Sequence, residues 1–129
     1  MMRVHLDTDF LVYAVSTAGP ERRRLLELAA SGRVIQMSAI AWYEFYRGPR
    51  TPEQLAVGRS FFSEDGIIAF PEHLAAAAAE VYRALGSPRR RTADIAIGVT
   101  ASVLNAVLLT RNADDFEGIP GLRLEAPSE

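Results

Sequence analysis

The chain has 129 residues, 49% of them hydrophobic and 23% charged, with a formal net charge of −2. That length suits one compact domain able to bury a core without disulfides or a structural metal. It has no cysteine, and all 14 basic residues are arginine, which excludes a thiol nucleophile, a Cys-based zinc site, a Schiff-base enzyme and a P-loop. Two histidines, His5 and His73, are too few for a His-rich metal site. The mild negative charge rules out a basic coat but leaves room for a local basic groove. The start, Met-Met-Arg-Val-His-Leu-Asp, has no apolar signal region. The near-apolar run from Ile95 to Leu109 is too short to cross a bilayer, so a cytoplasmic protein with no membrane partner is expected.

In chain order, Arg3–Asp7 reads as a first buried strand and Asp9–Val15 as a short helix. Pro20 fits the first turn of a helix ending near Gly32. Arg33–Met37 is a second strand, after which Ser38 caps a helix through Arg47, closed by Gly48-Pro49. Thr51-Pro-Glu-Gln54 is a capping box opening a helix to about Phe62. Gly66–Phe70 is a third strand. Pro71–Leu85 is a helix with apolar positions at 74, 77, 78, 81 and 85. Ser87–Arg91 reads as a basic loop, Thr92–Leu104 as a helix, Ala106–Thr110 as a fourth strand and Leu122–Leu124 as a short fifth. Apolar strands alternating with helices predict a single α/β domain over residues 1–129, with a parallel sheet of four to five strands covered on both faces. Ligands in such folds gather at the carboxyl ends of the strands.

Several acidic residues fall near those ends. Asp7 closes the run Val4-His5-Leu6, and Asp9 follows; Asp9 is the better candidate for a helix N-cap, because apolar residues precede Asp7. Glu44 lies among aromatics in Ile40-Ala-Trp-Tyr-Glu-Phe-Tyr, with Arg47 one turn on as its ordinary structural partner. Asp94 is the sole charge between Arg91 and Arg111 and sits in a helix's first turn, where the dipole alone favours it. Asp114 and Asp115 follow the fourth strand, where a solvated loop is the plain reading for one of them. Carboxylates converging from separate segments repel and raise one another's pKa unless a positive charge lies between. With no lysine and no well-placed histidine, Mg²⁺ is the natural counter-charge, with Asp7, Glu44 and Asp94 meeting around it.

These residues carry a family resemblance. Leu6-Asp7-Thr8-Asp9-Phe10-Leu11 resembles the first motif of PIN-domain ribonucleases, and Ser38-Ala-Ile-Ala-Trp-Tyr-Glu44-Phe-Tyr-Arg-Gly48 the second. Ala93-Asp94-Ile-Ala-Ile-Gly-Val-Thr-Ala101 resembles the third, and Leu109-Thr110-Arg111-Asn112-Ala-Asp-Asp115-Phe116 the end of the domain. The resemblance covers essentially the whole chain and suits VapC-type toxins of toxin–antitoxin pairs. It implies an α/β/α sandwich whose acidic pocket holds Mg²⁺ or Mn²⁺ and hydrolyses RNA to a 3′-hydroxyl and a 5′-phosphate. Asp7 and Asp94 would be the principal metal ligands, and Glu44 would bind metal or orient the attacking water. Many relatives have Asp where this chain has Asn112, so either Asp115 or Asp114 substitutes through the loop or the site works with three carboxylates. Thr8 and Thr110 are the hydroxyl residues expected beside the pocket, with Asp9 and Asn112 near them.

Arg89, Arg90 and Arg91, together with Arg111, are candidates to guide the RNA backbone, since guanidinium pairs bidentately with phosphate. Of Trp42, Tyr43, Phe45 and Tyr46, most are expected in the core and one or two in a partner groove. The resemblance implies a cognate antitoxin there and a homodimer. Two other readings stay open: a non-catalytic RNA- or protein-binding module, kept alive by Asn112, and a haloacid-dehalogenase-like phosphotransferase. The latter uses Asp7-Thr8-Asp9 as its Asp-x-Asp pattern and Asp114-Asp115 for Mg²⁺, but it leaves Glu44 and Asp94 without a role.

Overall fold

A computed structural model describes residues 2–127; Met1, Ser128 and Glu129 of the expected 1–129 domain lie outside the described residues. Its strands are β1 (Arg3–Leu6), β2 (Val34–Ser38), β3 (Ile67–Ile68), β4 (Val107–Leu109) and β5 (Arg123–Glu125). They form one parallel sheet in the order β3-β2-β1-β4-β5, with His5 of β1 in register with Gln36 on one side and Leu108 on the other. The helices are α1 (Thr8–Ser16), α2 (Pro20–Ala30), α3 (Ala39–Arg47), α4 (Pro52–Ser60), α5 (Glu72–Ala84) and α6 (Thr92–Val103). Helix α1 packs with α2, α3 and α4, and α5 packs on α6. The result is the three-layer α/β architecture expected. Among the described residues, no helix is long and apolar enough to cross a membrane.

Central strands of a parallel sheet are covered on both faces, so they read as unbroken apolar runs. Val4, Leu6, Leu108 and Leu109 are buried in this way, and Phe10, Leu11, Met37, Phe45 and Ile95 fill the layers around them. Helix α6 is buried from Ile95 through Ala101. Gly98 lets the C-terminal segment approach it: a Cβ there would stand 2.5 Å from Ile119 Cδ1 and 3.2 Å from Phe116 Cδ1. The capping box opening α4 is present, with Gln54 N donating to Thr51 Oγ1 and Thr51 N to Gln54 Oε1.

Several elements differ from the sequence expectation. Asp7, not Asp9, is the N-cap of α1: its Oδ1 accepts from Phe10 N at 2.9 Å, and Asp9 stands in the first helical turn. No loop separates β1 from α1, so one residue both ends the strand and caps the helix. The expected basic loop is a 3₁₀ turn at Arg89–Arg91 that runs into α6, with Thr92 Oγ1 donating to Arg89 O at 2.8 Å. A second 3₁₀ turn, Ala113–Phe116, replaces the loop expected after β4. Of the dense aromatics on α3, only Phe45 is fully buried; Trp42 is half-buried, and Tyr43 and Tyr46 are exposed.

His5 is fully buried in β1, with Nε2 on Gln36 Oε1 at 3.0 Å and Nδ1 without a partner. Burial, opposed by that hydrogen bond, pushes its pKa down from 6.5 to about 4. A histidine kept neutral by the fold binds its proton more readily when unfolded. Its contribution is therefore intact above pH 6.5 and lost as pH falls toward 4. Urea unfolding followed across that window should show stability dropping with acid, and a His5→Leu variant should flatten that limb.

Candidate active site

The connection after β1 leads to β2 on one side, while β4 pairs on the other side of β1, so the carboxyl ends of β1 and β4 border a topological switch point. A cavity of about 370 Å³ opens there. Five carboxylates line it: Asp7 from the end of β1, Asp9 from α1, Glu44 from α3, Asp94 from the first turn of α6, and Asp115 from the 3₁₀ turn after β4.

Each is placed by a separate local device. Asp7 is buried, with Oδ1 on the Phe10 amide and Oδ2 accepting from Thr110 Oγ1 at 2.5 Å. Thr110 Oγ1 in turn accepts from Asn112 N at 2.9 Å. Glu44 Oε1 accepts from Thr8 Oγ1 at 2.6 Å, a bond that ties α3 to α1. The Glu44–Arg47 pair that the spacing offers as the alternative to a functional role is not made: the Arg47 guanidinium lies over the Tyr43 ring, 5.2 Å from its centroid. Asn112 also lines the cavity, and its amide donates to Asp9 Oδ2 at 3.2 Å. An Asp at 112 would face Asp9 as a like charge, so here the amide serves as a donor.

The charge is poorly compensated. Burial pushes Asp7 up to about 6, against the downward pull of its bonds to Thr110 and the Phe10 amide. Burial and then the charges of Asp115, Glu44, Asp7 and Asp9 push Asp94 up to about 7. Thr110→Val keeps the shape but removes the hydroxyl, leaving Asp7 Oδ2 and the Asn112 amide unpaired. We expect a stability loss of about 1–3 kcal/mol at neutral pH. Because the Asp7 carboxyl then rises further, native protein holds its proton to higher pH than unfolded protein does. The loss should therefore be largest above the native Asp7 pKa of about 6 and shrink as pH falls below it, where both native proteins hold the proton, as urea titrations at several pH values would reveal.

The other candidates separate. Asp115 faces the cavity, but Asp114 is exposed and outside its lining, which removes one Mg²⁺ ligand of the phosphotransferase alternative. Arg91 does not reach the cavity. Its Nε and Nη2 donate to the carbonyls of Asp115 and Glu117 at 3.1 and 2.6 Å, tying the start of α6 to the turn that carries Asp115. Arg111 is also engaged elsewhere, with Nε 3.0 Å from Oε2 of the buried Glu21 and its guanidinium over the Tyr13 ring. A buried carboxylate needs such a partner. Arg89 and Arg90 remain exposed on their 3₁₀ turn. The arginines that do line the cavity are Arg47 and Arg50, which the sequence reading did not select. Among the described residues, no three acidic or histidine side chains stand close enough to grip one ion directly. Asp7, Glu44 and Asp94 thus share one cavity and feel one another's charge without forming a ready three-carboxylate grip on a single ion.

This fold, with a carboxylate-lined cavity at its switch point, matches the PIN domain over residues 4–122, and the chain belongs to that family. Its structural likeness is to chains of toxin–antitoxin complexes. One is VapBC2 of Rickettsia felis bound to a promoter DNA fragment, at 27% identity and a TM-score of 0.75, covering 97% of this chain and 98% of that one. Another is a toxin–antitoxin complex from Klebsiella pneumoniae, at 26% identity and a TM-score of 0.72, covering 98% of each chain. DNA-bound VapBC of Salmonella typhimurium shares the fold at 24% identity and a TM-score of 0.75, covering 98% of this chain and 99% of that one. No curated protein sequence matches the chain.

Proposed function

We propose that the protein is a divalent-cation-dependent endoribonuclease, the VapC-type toxin of a toxin–antitoxin pair, and that its 129 residues act as one domain. The observation that carries this reading is the set of five carboxylates, drawn from separate segments of a PIN-domain chain, around one cavity. Magnesium takes hard oxygen donors, often one or two carboxylates at a time, and keeps several waters. Asp7 and Asp94 suit that habit: both are oxygen donors whose charge lacks a counter-ion, beside a cavity with room for water. The donor set thus fits a partly hydrated Mg²⁺ or Mn²⁺ held by Asp7 and Asp94. When bound, the cation supplies Lewis acidity and charge neutralisation for phosphodiester hydrolysis.

The chain's own residues do the rest. Thr8 fixes one oxygen of Glu44, leaving the other to orient the attacking water in line with phosphorus. Thr110 holds Asp7 in its rotamer, and Asp115, steadied by Arg91, completes the acidic wall. Arg89 and Arg90 offer exposed charge to RNA beyond the cavity. The complexes from Rickettsia felis and Klebsiella pneumoniae support an antitoxin partner for this chain. A homodimeric, cytoplasmic protein is part of the same reading.

Purified protein should digest RNA with Mg²⁺ or Mn²⁺, lose that activity to a chelator and to Asp7→Asn, and leave p-nitrophenyl phosphate untouched. Cleavage that survives both the chelator and Asp7→Asn would overturn the assignment.

A further inference from the structure

Two guanidiniums share the wall of an otherwise acidic cavity, and neither is used up by the protein. Among the described residues, neither the Arg47 nor the Arg50 guanidinium takes part in an ion pair or hydrogen bond. Each is instead laid on an aromatic face, Arg47 over Tyr43 at 5.2 Å and Arg50 over Phe45 at 5.3 Å. Stacking orients a guanidinium while leaving its N–H edges open, whereas pairing with a carboxylate consumes them.

Gly48 builds the seat for Arg50. Its φ of −76° is one any residue adopts, so backbone freedom is not what requires glycine there. A Cβ at that position would stand 2.9 Å from Arg50 Nη2 and 3.1 Å from Cζ, inside the space the guanidinium occupies. Arg50 Nε is buried without an acceptor. A buried donor with no acceptor is costly unless a ligand completes it.

Were these arginines counter-ions for the carboxylates, they would bridge to them, and they do not. We infer that Arg47 and Arg50 form an anion clamp that takes phosphate oxygens of single-stranded RNA entering the cavity. This rests on the ribonuclease reading and names the residues that deliver its substrate. It also moves that role from Arg91 and Arg111, whose donors are engaged within the protein, to a pair that follows Glu44 closely in the chain.

The test uses the full chain. Binding of a fluorescent single-stranded oligoribonucleotide is measured over a range of KCl concentrations in an Asp94→Asn background that suppresses cleavage. Arg47→Gln and Arg50→Gln should each reduce the slope of log K against log salt by roughly 0.7, the single-strand value for one phosphate contact. Arg50→Lys, which keeps the charge, should restore the slope. In the cleaving protein, the Gln variants should raise KM several-fold with kcat nearly unchanged, and the thermal midpoint should stay within a few degrees. An unchanged slope and KM, with RNA still bound and cut, overturns the clamp and leaves the nuclease intact. Loss of binding to a glutamate-rich peptide with RNA binding unaltered also overturns it, assigning the pair to an acidic protein partner. Parent protein that neither binds nor cuts RNA overturns the nuclease reading and the clamp with it.

Discussion

Asp94→Asn is expected to lower kcat for RNA cleavage by about 10²–10³-fold, the cost typical of removing one electrostatic contributor to a transition state. The same change should make the cation-free protein more stable at neutral pH. Asp94 is pushed up to about 7, first by burial and then by the charges of Asp115, Glu44, Asp7 and Asp9. Between pH 4 and 7, the native state therefore holds a proton that the unfolded chain has released. Stability then falls as pH rises through that window. Asparagine carries no such charge, so parent and variant should be alike below pH 4 and diverge progressively up to pH 7. Thermal unfolding in EDTA at a series of pH values measures this directly. An Asp94→Asn protein that is inactive but no more stable at pH 7 would show the residue to be structural rather than a charge held for a ligand.

Phe45→Ala is expected to cost about 3–5 kcal/mol in urea unfolding, the range for truncating a fully buried aromatic. Phe45 is fully buried, its ring centroid lies 5.4 Å from that of Trp42, and Gly58 approaches it so closely that a Cβ there would stand 2.8 Å from Phe45 Cζ. The surrounding helices cannot close such a gap without moving α3, which carries Glu44. Tyr43, two residues before Phe45 on the same helix, offers a control. It is 62% exposed and meets Arg47 through its ring, so Tyr43→Ala should cost no more than about 1 kcal/mol. Equal losses from the two substitutions would mean that α3 is anchored by something other than Phe45.

The parts of the site legible in the sequence are those where a local pattern and a tertiary position coincide. Asp7 follows an apolar strand, Asp94 opens an apolar helix, and Glu44 interrupts an aromatic one, so each stands out against its neighbours. Where the partner comes from another segment, spacing misleads. Arg47 lies one turn from Glu44 and reads as its ion pair, yet a hydroxyl from α1 takes that carboxylate. Arg91 and Arg111 flank the acidic motifs in sequence, but backbone carbonyls and a buried glutamate claim them first. Arg50 has no periodic neighbour at all. Its place depends on the missing side chain of Gly48, which the sequence offers only as a helix stop. In the sequence, strand ending and helix capping look like separate jobs, yet Asp7 does both.

The hydroxyl that secures Asp7 lies 103 positions further along the polypeptide, as does the amide that meets Asp9. A ribosome must therefore translate as far as Thr110 before the first of these contacts can exist. Nascent and prematurely terminated products lack the β4 edge and hence the assembled catalytic wall.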